Sequence, residues 1–160
     1  MTRRGRLAAI LYGAAVGAYL LDRLTKYLAQ RHLAGRPAVH VIPHVVQLRY
    51  TTNAGGAFGL FGGRPWLFFG ATVVVCAAIV VASGRLSSAA SAVGFGLILG
   101  GALGNLTDRI IRGPGVSGRV IDFVDFRIWP VFNAADSAIV IGALIVLLAG
   151  LRRSQGADSA

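Results

Sequence analysis

Four stretches of the chain are apolar over almost the whole length needed to cross a lipid bilayer. They cover about residues 7–29, 66–82, 89–106 and 134–151, and a spanning helix needs roughly 20 mostly apolar residues. These stretches leave little of the 160 residues for a soluble domain. The sequence therefore predicts an all-α membrane protein, one unit over residues 1–160, with four transmembrane helices.

Basic residues flank these stretches and predict their orientation. They lie before the first stretch, between the second and third, and after the last, at Arg3, Arg4, Arg6, Arg85, Arg152 and Arg153. Cytoplasmic loops of membrane proteins are enriched in Lys and Arg, so both termini are expected in the cytoplasm. The connections at about 30–64 and 107–133 should then face outward. The net charge of +10 is scattered along the chain, and we expect no nucleic-acid partner.

The outer connections contain two segments with the alternation typical of β-strands, at about 41–58 and 118–127. Extended backbone cannot face lipid with its polar groups unpaired. The segments are therefore expected to pair with each other or to lie at the outer surface, as a small extracytoplasmic β-cradle. Gly55 and Gly56 interrupt the first segment, and they permit either a turn or the close approach of an extended peptide.

Glycines recur every four residues in the first and third apolar stretches. Gly13 and Gly17 lie in the first, and Gly96, Gly100 and Gly104 lie in the third. Small residues at this spacing let helices approach closely in lipid. We therefore expect both sets to pack against other helices.

All six acidic residues are aspartates, and five of them lie near the predicted outer ends of the spans or in the outer loops: Asp22, Asp108, Asp122, Asp125 and Asp136. Ionisable residues at membrane depth are rare and usually functional. Asp22 and Lys26 are four residues apart on one helix face, which predicts a local ion pair. Asp108 is followed by Arg109 and Arg112, which indicates a structural or orienting role and makes it a poor proton donor.

Asp122 and Asp136 stand in apolar settings. Asp122 lies in the middle of a predicted strand between Ile121 and Phe123, and Asp136 lies in the first helical turn of the last apolar stretch. Apolar surroundings raise the pKa of a carboxyl group, and two such groups brought together hold one proton between them. One member of such a pair can take a proton from water while the other donates to an amide carbonyl, which is the chemistry of amide hydrolysis. A capping role alone for Asp136, and its pairing with Asp108 instead, remain open alternatives.

The three asparagines of the chain, Asn53, Asn105 and Asn133, fall at the same predicted outer level as the aspartates. Their side chains can donate to a peptide carbonyl and accept from a peptide N–H. Arg109 shares a helix face with Asn105 and could bind a substrate carbonyl or a lipid phosphate, or form a salt bridge with one of the aspartates Asp22, Asp122 and Asp125.

Metal and cofactor chemistry is not expected. The histidines His32, His40 and His44 are scattered, the chain contains no glutamate, and its single cysteine, Cys76, lies in an apolar run. These residues do not form the spacing typical of zinc ligands.

Five motifs in order along the chain resemble the lipoprotein signal peptidase (signal peptidase II) family. They are "DRLTK" at 22–26, "TNAGGAF" at 52–58, "GGALGNLTDR" at 100–109, "GRVIDFVDF" at 118–126 and "FNAADS" at 132–137. The resemblance implies four transmembrane helices with a β-cradle in the bacterial inner membrane. It also implies an aspartic endopeptidase that removes the signal peptide from diacylglyceryl-modified prolipoproteins and is inhibited by the cyclic peptide globomycin.

The same resemblance assigns roles to individual residues. It places the catalytic pair on Asp122 and Asp136, and a first-helix motif on Asp22 and Lys26. It places substrate contacts on Asn53, Asn105, Arg109, Val120 and Asn133. Two other classes of protein also place aspartates in a membrane, a proton-coupled transporter and an assembly subunit. The first predicts broken helices and internal symmetry that the sequence lacks, and the second leaves the grouping of Asp and Asn residues without a purpose.

Overall fold

Four long helices form the frame of the molecule. The computed structural model describes residues 2–54 and 65–158, and of these the side chains of 2–54 and 66–152. The helices are α1 (Arg3–Leu33), α2 (Pro65–Ala82), α3 (Ala89–Ile111) and α4 (Ala134–Asp158). Each contains a segment long and apolar enough to span a bilayer, which confirms the prediction of four transmembrane helices.

The helices extend beyond the apolar stretches that predicted them. α1 runs on to Leu33, and α3 continues past Leu106 to Ile111. Apolar composition marks the part of a helix that can face lipid, whereas the backbone ladder continues wherever polar side chains find partners in other elements. Consequently α3 carries Asp108 as well as Arg109, which was expected on this helix, and the outer connection starts after Ile111 and not near residue 107.

A three-stranded antiparallel sheet covers one end of the helices. Its strands are β1 (Val39–Ile42), β2 (Val46–Asn53) and β3 (Val120–Asp125), in the order β1-β2-β3. The predicted pairing of the two outer segments is confirmed, since β2 and β3 pair with Thr51 opposite Asp122 and Asn53 opposite Val120. The strand that carries Asp122 is therefore fixed in register against the strand that ends at Asn53.

The first outer segment is a hairpin, and not the single strand expected at about 41–58. The chain reverses between β1 and β2 near Pro43 and His44, and His44 has a φ of 63°. Proline cannot donate to a strand ladder, and left-handed backbone at the next residue turns the chain, so the alternation on its two sides belongs to two strands. Residues 55–58 of the expected segment, including Gly55 and Gly56, lie outside the described residues.

Glycines on α3 allow its closest contacts with α1. A Cβ on Gly100 would overlap the carbonyl oxygen of Ala15, and Gly96 lies equally close to the α1 backbone. This confirms the packing role expected for the glycines of the third stretch. The expectation for Gly13 and Gly17 is wrong among the described residues, because none of their atoms lies within 4 Å of a Cβ built at either position. α1 presents alanines to α3 instead.

The Gly100→Ala substitution should lower the free energy of unfolding by about 1–3 kcal/mol, because the added methyl group overlaps the α1 backbone. Thermal unfolding of the purified protein in one detergent measures the effect. Gly17→Ala is the matched control, since no atom of the described residues lies within 4 Å of its added methyl group. Equal stability of the two variants would contradict the close packing of α1 on α3.

The two ends of the helix frame differ. The sheet lies at the end where α1 and α3 terminate and α4 begins, because β2 and β3 contact α1 and β3 contacts α3. At the opposite end, Arg3 donates a 2.7 Å hydrogen bond to the carbonyl of Ser87, between α2 and α3. The start of α1 and the α2–α3 connection therefore share the side away from the sheet.

Candidate active site

Asn133, the residue before α4, joins two aspartates from different elements. Its side-chain nitrogen donates to Asp122 Oδ1 at 2.6 Å, and its backbone N–H donates to Asp136 Oδ2 at 3.2 Å. Both Asn133 and Asp122 are buried, with exposed fractions of 0 % and 2 %. The structure thus brings Asp122 of β3 and Asp136 of α4 to the same asparagine.

Asp136 also takes part in the N-terminal cap of α4. Asn133 Oδ1 accepts a 3.0 Å hydrogen bond from the Asp136 N–H, and the Asp136 carboxylate accepts from the Asn133 N–H in return, as in a capping box. The other oxygen, Asp136 Oδ1, accepts a 2.9 Å hydrogen bond from the side chain of Asn105 on α3. Capping therefore accounts for only one of the two Asp136 oxygens.

Asp122 lies where ionisation is unfavourable. Burial and, next, the negative charge of Asp136 raise the pKa of Asp122 to about 7. Hydrogen bonds from Asn133 and Asn53 and the charge of Lys26 act in the opposite direction and are outweighed. The raised pKa agrees with the apolar setting expected for this carboxyl group.

Both carboxyl groups line a cleft of about 340 Å³. The residues around it come from α2, the sheet, α3, the 129–132 loop and α4: Asn53, Phe68, Thr72, Asn105, Arg109, Val120, Asp122, Trp129, Pro130, Val131, Phe132 and Asp136. An apolar cleft of about 620 Å³ adjoins it at Trp129, Phe132 and Asp136 and continues along α4 to Ile141. A larger cleft, of about 840 Å³, lies between α1, α2 and α3, and its described lining contains no acidic side chain.

The residues predicted to contact a substrate are placed unequally around the cleft. Asn53, Asn105, Arg109 and Val120 all line it. Asn133 does not belong to the described lining, and its side-chain nitrogen is engaged by Asp122, Asn105 and the Ile121 carbonyl. Asn133 therefore holds the two carboxyl groups by hydrogen bonds from the side away from the cleft.

Lys26 of α1 is enclosed by polar partners behind the cleft. Its Nζ lies 2.9 Å from Asp22 Oδ2, 3.0 Å from Asp108 Oδ2 and 2.8 Å from Asn105 Oδ1, and its side chain is 0 % exposed. The expected Asp22–Lys26 pair is thus part of a larger network that joins α1 to α3. Gly104 leaves room for it, because a Cβ there would overlap the Asp22 carboxylate.

Asp108 is surrounded by donors. Arg23 and Arg112 contact Asp108 Oδ1 at 2.6 and 2.9 Å, and Lys26 occupies the other oxygen. The expected partnership with Arg112 is present, whereas Arg109 does not pair with Asp108 among the described residues. Arg23 was not identified from the sequence as a partner of Asp108. The signal was its position next to Asp22 inside an apolar helix, where an arginine needs an anion. The alternative pairing of Asp108 with the α4 aspartate finds no support in this geometry.

Arg109 reaches the cleft from α3 and is 7 % exposed. Its Nη1 donates to the carbonyl of Ala54 at 3.5 Å, and its guanidinium carbon lies 5.5 Å from the centroid of the Phe68 ring. Within the described part of the chain it makes no ion pair with an aspartate. Arg109 is therefore a cation at the wall of the cleft, held against an aromatic ring of α2.

Asp125 belongs to a separate cluster on the sheet. Its carboxylate accepts hydrogen bonds from Gln47 at 2.8 Å, from Arg49 at 2.6 Å and from the Arg127 N–H at 2.7 Å. The hydrogen bond from Gln47, with those from the Arg127 backbone and Arg49, holds the pKa of Asp125 down at about 2. Asp125 thus has a structural environment that Asp122, three residues earlier, does not share.

Asp125 should stabilise the protein near neutral pH and lose this effect in acid. Its pKa falls from about 3.9 in an unfolded chain to about 2 in the folded protein, so folding favours the carboxylate. The contribution is present above the unfolded value and is lost as the pH falls through the folded value. Asp125→Asn should therefore lower the thermal midpoint more at about pH 6 than at about pH 3. An equal effect at both pH values would contradict this assignment.

The described residues contain no group of three or more His, Cys, Asp or Glu side chains placed to hold a metal ion. The structure thus combines a multi-pass membrane frame with two carboxyl groups, the buried Asp122 and the half-buried Asp136, at a cleft near one end of it. The signal peptidase (SPase) II family model matches residues 14–152. The chain therefore belongs to the signal peptidase II family.

Known relatives and solved structures agree with this membership. The chain is 43 % identical over 133 residues to a lipoprotein signal peptidase of Desulfitobacterium hafniense (strain DSM 10664 / DCB-2), covering 81 % of this chain and 85 % of the relative. It is 44 % identical over 150 residues to one of Rhodococcus jostii (strain RHA1), covering 92 % and 74 %. A solved structure of a bacterial membrane enzyme superposes with a TM-score of 0.78 at 30 % identity, covering 89 % of this chain and 88 % of that one. The resemblance seen in the five motifs is confirmed, and the chain is a peptidase of this family.

Proposed function

We propose that the protein is an aspartic endopeptidase that cleaves signal peptides from diacylglyceryl-modified prolipoproteins, with Asp122 and Asp136 as its catalytic pair. The observation that carries the proposal is the bridge through Asn133, which donates one N–H to each carboxyl group. Both carboxyl groups also line the same cleft. A pair of carboxyl groups with one proton between its members suits acid–base chemistry on an amide.

The proposed reaction starts with Asp122 protonated and Asp136 ionised. Asp136 takes a proton from water as the water oxygen attacks the scissile carbonyl carbon, while Asp122 donates its proton to the carbonyl oxygen. The resulting diol returns a proton to Asp122. Asp136 then passes its proton to the amide nitrogen as the C–N bond breaks, which leaves a carboxylic acid, an amine and the pair in its starting state.

Residues around the cleft are proposed to hold the peptide. Asn53 and Asn105 can donate to a peptide carbonyl or accept from a peptide N–H, and Val120 offers an apolar contact next to Asn53. Arg109 can bind a carbonyl or a lipid phosphate through its guanidinium group. Asn133 orients the pair, Gly55 permits close approach of the peptide backbone, and Asp22, Lys26 and Asp108 have structural and orienting roles.

The apolar cleft along α4 supports a lipid-modified substrate. It meets the polar cleft at Asp136, so an acyl chain lying in it would reach the catalytic pair. Ile128 and Trp129 beside it are 93 % and 61 % exposed, as expected of side chains that contact lipid or an acyl chain. A substrate anchored in the membrane would bring its scissile bond to this level.

The proposed location is the bacterial cytoplasmic membrane. Arginines at the start of α1, after α2 and at Arg152 favour cytoplasmic termini. The sheet and the cleft lie at the opposite end of the frame from Arg3 and Ser87, so the active site would face outward. The family resemblance further implies inhibition by globomycin.

A gel-shift assay tests the proposal. Purified protein in detergent should convert a diacylglyceryl-modified precursor to the shorter product, and globomycin should block the conversion. The same precursor without its lipid is the matched control and should be cut far more slowly. Equal cleavage of the lipidated and unlipidated precursors would overturn the assignment of the substrate.

A further inference from the structure

Lys26 does not line the cleft, yet a single side chain connects it to the catalytic pair. Its Nζ donates to Asn105 Oδ1 at 2.8 Å, and Asn105 Nδ2 donates to Asp136 Oδ1 at 2.9 Å. Asn133 Nδ2 also donates to Asn105 Oδ1, at 3.2 Å. Donors therefore run in one direction, from the ammonium group towards Asp136.

The ammonium group of Lys26 can only donate hydrogen bonds, which fixes the orientation of the Asn105 amide between Lys26 and Asp136. A lysine has three N–H donors and no acceptor, and the three partners of Lys26 are oxygens of Asp22, Asp108 and Asn105. If the Asn105 amide rotated by half a turn, its NH₂ group would face the ammonium group, donor against donor. Lys26 thus keeps the oxygen of Asn105 towards itself and the nitrogen towards Asp136.

The network around Lys26 also carries excess positive charge. It contains the carboxylates of Asp22 and Asp108 and the cations of Lys26, Arg23 and Arg112, three cations against two anions. Buried charges act at longer range than exposed ones because water screens them less. The side chain of Lys26 is 0 % exposed, whereas those of Arg23 and Arg112 are 24 % and 22 % exposed, so Lys26 is the cation of this network that acts most strongly on the catalytic pair, where it favours an anion.

We infer that Lys26 is a positioning residue for the hydrolysis: it fixes the Asn105 amide so that the amide donates to Asp136, and its charge stabilises the anion that the pair carries. The inference rests on the proposed function, because it assigns Lys26 a role in the reaction of the Asp122–Asp136 pair. It goes beyond a structural ion pair with Asp22, which would not require any link to Asp136.

The charge of Lys26 should be visible in the pH dependence of the reaction. The charged groups that act on Asp122 are Asp136 from α4, Lys26 from α1 and Arg109 from α3. Lys26 lowers the pKa of Asp122, so its removal should raise that pKa. Cleavage, which needs the proton of Asp122, should then persist to higher pH.

The test uses a variant whose buried charge stays balanced. Lys26→Met alone leaves Asp22 and Asp108 without a shared cation, whereas Asp22→Asn/Lys26→Met removes one charge of each sign and leaves Asp108 with Arg23 and Arg112. Asp22→Asn alone is the matched control, because Lys26 still reaches Asn105. Steady-state kcat and KM for the lipidated precursor, each followed across pH, are the readouts.

We expect the double variant to lose about 100-fold in kcat relative to Asp22→Asn, with little change in KM, since a misdirected donor costs this much. The alkaline limb of its kcat profile should move up by about one pH unit. The inference would be overturned if Asp22→Asn/Lys26→Met and Asp22→Asn had equal kcat and the same alkaline limb in their kcat–pH profiles. That outcome differs from failure of the proposed function, in which Asp122→Asn or Asp136→Asn would retain cleavage.

Asn105→Asp tests the same orientation of the Asn105 amide if the double variant does not fold. This substitution preserves an oxygen for Lys26 but replaces the N–H donor to Asp136 by a second oxygen. The inference predicts a comparable loss of kcat and a shift of the alkaline limb of the kcat–pH profile to higher pH. A folded Asn105→Asp protein with native kcat would overturn it.

Discussion

Asp122→Asn and Asp136→Asn should each lower kcat for a lipid-modified precursor by at least about 10³-fold while the protein remains folded. The first substitution removes the proton that goes to the carbonyl oxygen, and the second removes the base that takes a proton from water. Asparagine keeps the size of each side chain, so the helix frame should persist. Single-turnover cleavage measures the rate, and the thermal midpoint reports the fold.

Asp125→Asn is the matched control for these two variants. It makes the same chemical change on the same strand as Asp122, at a carboxylate engaged by Gln47 and Arg49 away from the cleft, and it should keep its activity. Asp108→Asn should mainly reduce stability, because Asp108 is an ion-pair partner of Arg23, Lys26 and Arg112. Full turnover by Asp122→Asn or Asp136→Asn would remove the catalytic pair.

Lys26→Met is expected to have the largest effect on stability. Removing one partner of a buried ion pair leaves an uncompensated charge and costs about 3–5 kcal/mol. Asp22 and Asp108 both lie within 3.0 Å of Nζ, and all three side chains are 0 % exposed. The variant should therefore unfold at a much lower temperature, or fail to accumulate in the membrane.

Two further variants separate charge from packing at this position. Arg112→Gln should cost less than Lys26→Met, because Asp108 retains Lys26 and Arg23 and because the Arg112 side chain is 22 % exposed. Asp22→Asn/Lys26→Met should recover part of the lost stability, since it restores the balance of buried charge. If Lys26→Met were as stable as Arg112→Gln, the network would not hold α1 against α3.

The helix frame was predictable because lipid imposes a simple requirement on sequence. Runs of apolar residues long enough to span a bilayer have few other structures available, and all four appear as helices. The pairing of the outer segments followed from the same requirement. The proposal of Asp122 followed from its place in an apolar strand together with the family resemblance of its motif, since the residues alone left a pairing of Asp108 with Asp136 open. The pKa of about 7 for Asp122 reflects its burial.

Features that depend on how helices rotate against each other were not predictable. The spacing of Asp22 and Lys26 indicated a pair on one face of α1, but it could not show that the face meets Asn105 and Asp108 of α3. The same reason explains why alanines of α1, and not Gly13 and Gly17, receive the glycines of α3. Asn133 both caps α4 and bridges the two aspartates. The second role could not be predicted, because it depends on how β3 is placed against the start of α4.

The most direct test of the shared proton is an infrared titration of the carboxyl groups in the purified protein. The difference spectrum between the native protein and Asp122→Asn isolates the C=O stretch of the protonated Asp122 side chain. The proposal predicts a band that disappears as the pH rises through the pKa of about 7 and that is absent from the variant. A native spectrum identical to that of Asp122→Asn from about pH 5 to about pH 9 would mean that Asp122 carries no such proton, and would contradict the account.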